Sequence, residues 1–295
     1  MNNNQLQARK VPFSAKIQST GIKKLINETL GEPKRAMRFI SAITSAVAVN
    51  SALQECEFNT VLTGALLGES LNLSPSPQLG QYYLVPFNNR KKGIKEAQFV
   101  LGYKGYIQLA IRSGYYKKIN VIEIKQGELI RYNPLKEDIE CEFIEDFVER
   151  ENAETVGYYA YFEYTNGFEK AIYWSKDKML SHADKYSPAF SKMAYEKLQK
   201  GEIPQNELWK YSSFWYKDFD GMAKKTMLRQ LISKWGIMSL EIQQAFISDG
   251  GTIERQGTDF IPSFDEPEPQ EEYPETENFI ENPENVVDEI NINEL

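Results

Sequence analysis

Between Arg90 and Lys118, eight cations (Arg90, Lys91, Lys92, Lys95, Lys104, Arg112, Lys117 and Lys118) stand against one acid, Glu96, a local balance of +7. Five rings, Phe99, Tyr103, Tyr106, Tyr115 and Tyr116, are interleaved with them. Spaced cations can follow a sugar-phosphate backbone while aromatic faces stack on bases, at roughly 1–3 kcal/mol per stacked base, so the mixture suits a single-stranded nucleic acid. A solvated polar face is the plain alternative, and the scarcity of local acids weighs against it. At helical spacing Lys104, Gln108 and Arg112 form one ridge. Tyr103, Ile107, Ala110 and Ile111 gather on another face able to pack on a sheet, and Gly105 beside the ridge lets a backbone approach closely.

A second basic feature lies further along. Lys225 and Arg229 are four residues apart, share a face with Thr226 and Ser233, and have no acid three or four residues away. Like charges so placed destabilise an isolated helix, which is easier to understand if an anion sits there. Lys224 is four residues from Asp220 and can pair with it. Met227, Leu228, Leu231, Ile232 and Trp235 make the opposite, core-facing stripe. Just upstream, Phe214-Trp215-Tyr216 supplies three consecutive rings, of which one or two are expected to be buried and the rest free to stack.

Other chemistries find less support. Lys225-Thr226 resembles the end of a phosphate-binding loop, but Lys224 stands where its glycine belongs, so no ATP site is expected. Glu123-Ile124-Lys125 is half of a metal-dependent nuclease motif without a clear partner aspartate. Asp218 and Asp220 do not share a helix face, so no metal site is expected there. His182 is the single histidine, which removes most metalloprotease and His-based triad chemistry. Cys56 and Cys141 are too few for a disulfide framework or a thiolate zinc site and suit a reducing cytosol. No apolar run is long enough to span a bilayer, and the N-terminal residues lack a secretory pattern, so a cytoplasmic location is expected.

The elements that must position these residues can be read from period and punctuation. Helices are expected over Ile22–Leu30, stopped by Gly31, from Pro33 to about Val49, and over Thr60–Leu67. Strands follow at Gln81–Phe87 and Ala97–Tyr103 around the polar connector Asn88–Gly93, then a helix Lys104–Ser113 before Gly114. Further strands are expected at Ile119–Ile124, Ile139–Phe143, Tyr158–Thr165 and Phe168–Trp174, the last two joined by the hairpin signal Asn166-Gly167. Ser175 and Ser239 cap later helices, a polar stretch follows Lys185, and a long helix runs from Asp218 to Trp235. The class is α+β: a central antiparallel β-meander of hairpins with a packed helix, flanked by N-terminal and C-terminal helices and followed by a disordered acidic C-terminal tail.

The 295 residues sum to a charge of −8, but Thr258–Leu295 holds thirteen acids and no Lys or Arg, leaving +5 on residues 1–257. The expected organisation is an N-terminal arm and short helix (1–30, loose over 1–20), a core (31–257) whose order ends at Gly250-Gly251, and a disordered tail (258–295). The tail is expected to be a solubilising segment, or else to compete with a nucleic acid for the basic groove or dock a partner.

Several blocks resemble a known family. Gly80-Gln81-Tyr82-Tyr83-Leu84-Val85-Pro86-Phe87, Leu101-Gly102-Tyr103-Lys104-Gly105-Tyr106, Leu109-Ala110-Ile111-Arg112-Ser113-Gly114 and Met222-Ala223-Lys224-Lys225-Thr226 with Leu228-Arg229 are similar, in order and spacing, to signature blocks of phage and prophage RecT-type single-strand annealing proteins. The resemblance covers about Lys34 to Asp249. It implies an ATP-independent recombinase without bond-making chemistry or cofactor, with Mg²⁺ at most modulating annealing. Such a protein binds single-stranded DNA, forms rings or helical filaments, and holds the backbone in a basic groove while a complementary strand pairs into duplex. It works with a 5′→3′ exonuclease and the host single-strand-binding protein. The expected groove is lined by Arg90, Lys91 and Lys92, by Lys104, Gln108 and Arg112, and by Lys117, Lys118, Lys224, Lys225, Thr226 and Arg229. Tyr103 or Tyr106, and Phe214 or Trp215, are expected to stack on bases. A non-annealing single-strand-binding module and a metal-dependent nuclease are the alternatives.

Overall fold

The computed structural model describes residues 11–257 and 259–264. The chain opens with four helices, α1 (Phe13–Ile17), α2 (Thr20–Leu30), α3 (Pro33–Val49) and α4 (Phe58–Ser70). Gly31, at φ +71°, takes the left-handed conformation that ends α2, and Pro33 starts α3 where its missing N–H costs nothing. One side of α3, Ala36, Phe39, Ile40, Ile43, Ala46 and Val47, is buried at helical spacing. The loose arm expected over residues 1–20 is corrected for its second half. Phe13 and Ile17 sit one helical turn apart and are buried in the common core; residues 1–10 lie outside the described residues.

Two strands follow, β1 (Tyr82–Asn89) and β2 (Ile94–Leu101), then α5 (Tyr103–Arg112), β3 (Tyr116–Lys125), β4 (Leu129–Asn133), β5 (Asp138–Cys141), α6 (Phe147–Asn152), β6 (Thr155–Tyr164) and β7 (Glu169–Ser175). The chain continues through α7 (Lys176–Tyr186), α8 (Lys192–Gln199), α9 (Phe214–Lys217), α10 (Phe219–Trp235), α11 (Leu240–Ser248), β8 (Thr252–Gln256) and β9 (Asp259–Ser263). The α+β class and the antiparallel pairing are as expected, but the strands divide between sheets. The orders are β1-β2-β8-β9, β3-β6-β7 and the separate pair β4-β5. Helix α10 lies against β3, β6, β7 and α5, burying Ala223, Met227, Leu228, Leu231 and Ile232.

Two boundaries move. Order does not end at Gly250-Gly251: β8 joins β2 at Thr252↔Gln98, and β9 pairs along β8 from Gln256↔Asp259 to Thr252↔Ser263. The first residues of the expected disordered tail are therefore an edge strand, which tolerates Pro262. The remainder of the tail, from Asp265, lies outside the described residues. The polar stretch after Lys185 also contains α8 and a 3-10 turn at Gln205–Lys210.

Candidate nucleic-acid interface

Where the end of the first hairpin meets α5 and α10, side chains from four elements close around a notch. Tyr83 of β1, Tyr103 of α5, Phe214 of α9, and Met222 and Lys225 of α10 line it, with Gly102, Asp218 and Gly221 below. Strand alternation explains Tyr83: Tyr82 turns into the core and its neighbour turns outward. The Tyr83 and Phe214 rings lie 5.2 Å apart. Tyr103 carries two ammonium groups near its ring, Lys224 Nζ at 5.0 Å and Lys104 Nζ at 5.9 Å from the centroid. Asp218 caps α10 by accepting the Gly221 N–H at 2.9 Å, and a Cβ on Gly221 would collide with that carboxylate. Burial, and then the Asp218 charge, raise the Tyr83 phenol above its ordinary pKa, so it is a neutral donor at pH 7.

Of the two alternatives in each expected stacking pair, the structure leaves Tyr103 and Phe214 partly exposed and closes off Tyr106 and Trp215. Tyr106 is 1% exposed, with its hydroxyl donating to Asp249 and its ring edge-on to Phe246. Trp215 is buried in an aromatic cluster with Phe190 and Phe219. The face of α5 turned inward is Gly105, Tyr106, Leu109 and Ala110, rather than the Tyr103, Ile107, Ala110 and Ile111 face that was expected. Gly105 does admit a close backbone, but it is the chain's own: a Cβ there would lie 2.1 Å from the Gln81 carbonyl oxygen.

Most of the expected cations already hold acids. Lys225 and Arg229 both bind Asp249, at 2.8 and 3.0 Å, and that carboxylate is 4% exposed and also accepts the Leu101 N–H. The anion that the Lys225/Arg229 pair asks for is thus internal. Burial pushes the Asp249 carboxyl up, and the two adjacent cations more than reverse this, holding it below its ordinary pKa. Lys224 pairs not with Asp220 but with Glu123 of β3, at 2.7 Å, and Asp220 instead accepts from the Tyr158 hydroxyl. The Glu of the Glu-x-Lys motif is therefore spent on an ion pair. Among the described residues no group of three His, Cys, Asp or Glu could hold a metal ion.

The structure does not gather all the expected residues around one groove. Arg90, Lys91 and Lys92 occupy the far turn of the β1–β2 hairpin, about 20 Å along the strands from the Tyr83↔Val100 pair. Lys92 there pairs with buried Glu96 at 3.0 Å. Arg112 caps α4, donating to the Leu71 carbonyl at 2.6 Å and that of Asn72 at 3.2 Å, a structural task. Lys117 and Lys118 both pair with Glu163. Thr226 is buried. Gln108 and Lys104 are exposed on α5. The notch thus joins Tyr103, Phe214 and Lys225, with Lys104 and Lys224 flanking it at the Tyr103 ring, and adds Tyr83 and Met222. The doublet Tyr82-Tyr83 on an expected strand was the signal for Tyr83, since alternation must expose one of the two rings. Nothing local announces Asp249 as the partner of Lys225.

These features define an α+β protein of antiparallel sheets spanned by a long helix, with an aromatic, lysine-flanked notch where hairpin and helices meet. The model of the RecT family matches residues 37–262, from α3 into β9, and the chain belongs to that family. It thereby falls among the single-strand annealing proteins of DNA recombination. The "Uncharacterized protein YqaK" of Bacillus subtilis (strain 168) is 38% identical over 261 residues, spanning 86% of this chain and 80% of the relative. "Protein RecT" of Escherichia coli (strain K12) is 25% identical over 240 residues, 79% of this chain and 78% of the relative.

Proposed function

We propose that this chain is an ATP-independent single-stranded DNA-binding and annealing protein that self-associates on DNA, as a ring or helical filament, and brings complementary strands into duplex without bond-making chemistry. The observation that carries the reading is the notch. Tyr83, Tyr103 and Phe214 offer ring faces to bases, and Lys104 and Lys224 stand beside Tyr103 at positions suited to phosphates. Watson–Crick pairing reads the sequence, while the protein aligns the backbone. A 5′→3′ exonuclease that exposes single strands and the host single-strand-binding protein are its proposed partners, with Mg²⁺ as a modulator of annealing.

The test mixes complementary oligonucleotides with the protein, without ATP, with and without Mg²⁺. Faster duplex formation is expected. Retarded pairing would mean strand protection only, and shortened strands would mean a nuclease; either overturns the proposal. Lys104→Ala, which removes an exposed cation that makes no ion pair among the described residues, is expected to weaken binding to all sequences alike and lower the salt slope by about 0.7.

A further inference from the structure

Charge is divided over the surface in a way the notch does not use. Residues 136–154, from the β4–β5 turn through β5 and α6, carry nine acids against Lys136 and Arg150, and of the nine Glu137 and Glu154 are met by Lys170 and Lys176 from other elements, which leaves a clear negative excess. Arg150 is occupied inside this lobe, donating to fully buried Glu128 at 2.6 Å and to the Glu123 carbonyl at 3.0 Å. Helix α6 buries none of its residues. At 100° per residue Phe147, Val148 and Glu151 fall within about 100° of one another, and Val148 lies about 160° from Arg150. Phe147 and Val148 are 72% and 66% exposed. Neighbouring large apolar side chains kept in water mark a surface that takes a partner, and a lobe with a negative excess repels a polyanion. That partner is a protein surface of opposite charge.

The chain carries such a surface itself. Residues 11–49 hold six cations against Glu28 and Glu32, a net +4. On the outer side of α3, Lys34, Met37 and Arg38 fall within about 100° of one another. Met37 is 65% exposed, and neither Lys34 nor Arg38 makes an ion pair among the described residues. We propose that the α6 lobe of one copy docks on the outer face of α3 of a second copy, Phe147 and Val148 against Met37, with Glu151 between them facing Lys34 and Arg38 and Glu149 adding to the negative charge at the rim. The two faces are different patches, so the contact is head-to-tail and each added copy presents a fresh site. Neither patch includes a residue of the notch. The inference rests on the self-association proposed above and names its surface.

Two full-length double variants test it: Glu149→Lys with Glu151→Lys, and Lys34→Glu with Arg38→Glu. All four positions are exposed or at the surface of their helices, and a thermal melt confirms folding. In sedimentation velocity at low salt without DNA, each variant alone is expected to run as a monomer where the parent assembles. An equimolar mixture is expected to regain assembly, because the reversed lobe of one meets the reversed α3 of the other. Variants that assemble like the parent, a mixture that stays monomeric, or a parent that never assembles would each overturn the contact. Binding of a short labelled oligonucleotide is measured alongside. A parent that assembles but does not bind it removes the nucleic-acid reading and leaves the interface, whereas binding with the expected rescue absent does the reverse.

Discussion

Tyr103 and Tyr106 are one helical turn apart on α5 and serve different ends. Tyr103 lies half-exposed beside two lysines, while Tyr106 is sealed in the core with its hydroxyl on Asp249. Tyr103→Ala should therefore weaken single-strand binding by about 1–3 kcal/mol and leave the urea midpoint nearly unchanged. Tyr106→Ala should cost about 3–5 kcal/mol of stability while the folded fraction still binds. Titrations of both variants over a urea series separate the two effects, and equal losses of affinity per folded molecule would contradict the assignment. Asp249 invites a pH experiment. Its folded pKa lies below the ordinary carboxyl value, so its contribution is fully present above about pH 4 and is lost as pH falls through the folded pKa. Asp249→Asn leaves Lys225 and Arg229 without their counter-ion and should cost about 3–5 kcal/mol at pH 7. The gap in urea midpoint between parent and variant should hold from pH 7 to 5 and narrow below 4. A gap constant down to pH 3 would mean that the carboxylate's charge is not what holds α10 to the end of α11.

Helix α5 also shows how far an element can be read in advance. Its span was legible to one residue, because Gly114 punctuates its end and the apolar spacing is helical. Its rotation was not. Gly102 and Gly105 press on the Gly80 and Gln81 carbonyls, which turns Tyr106 and Leu109 inward and leaves Ile111 53% exposed. That contact is between segments some twenty residues apart, and periodicity within α5 carries no record of it. A methyl at position 105 meets backbone rather than a movable side chain, so Gly105→Ala should destabilise the protein by about 1–3 kcal/mol in urea unfolding. Gly21→Ala, in α2 with nothing within 4 Å of the new Cβ, should instead be neutral or stabilise by up to about 1 kcal/mol. Strands β8 and β9 escaped notice for a related reason. They are five residues each, one contains proline, and β8 bonds to a strand about 150 residues earlier. The Asn166-Gly167 hairpin and the serine caps, by contrast, depend only on neighbours within a few residues, and they form where local chemistry places them.

Across the whole molecule, charge is the property that a sum conceals. Lys104, Lys224 and Lys225 were legible as cations near aromatic residues, but their availability was not, because Glu123 and Asp249 reach Lys224 and Lys225 only through the tertiary fold. Much of the positive charge is thus met within the body by acids on other elements, and a strand of phosphates must compete with those carboxylates or bind at the exposed cations that remain. Any additional negative charge on the same molecule then works against DNA. Residues 266–295 supply eleven acids and no Lys or Arg, so deleting them changes the net charge from −8 to +3 while sparing β9. The deletion should tighten binding of single-stranded DNA at low ionic strength. The gain should fade as salt rises and the screening length falls to about 10 Å at 0.1 M and about 3 Å at 1 M. Fluorescence anisotropy with a short oligonucleotide from 20 mM to 1 M salt, an ordinary working range of roughly fifty-fold, reads both limbs. Equal affinities of the full-length and shortened chains at every salt concentration would show that those eleven charges do not reach the notch, and that the balance between phosphates and internal carboxylates is decided by the body alone.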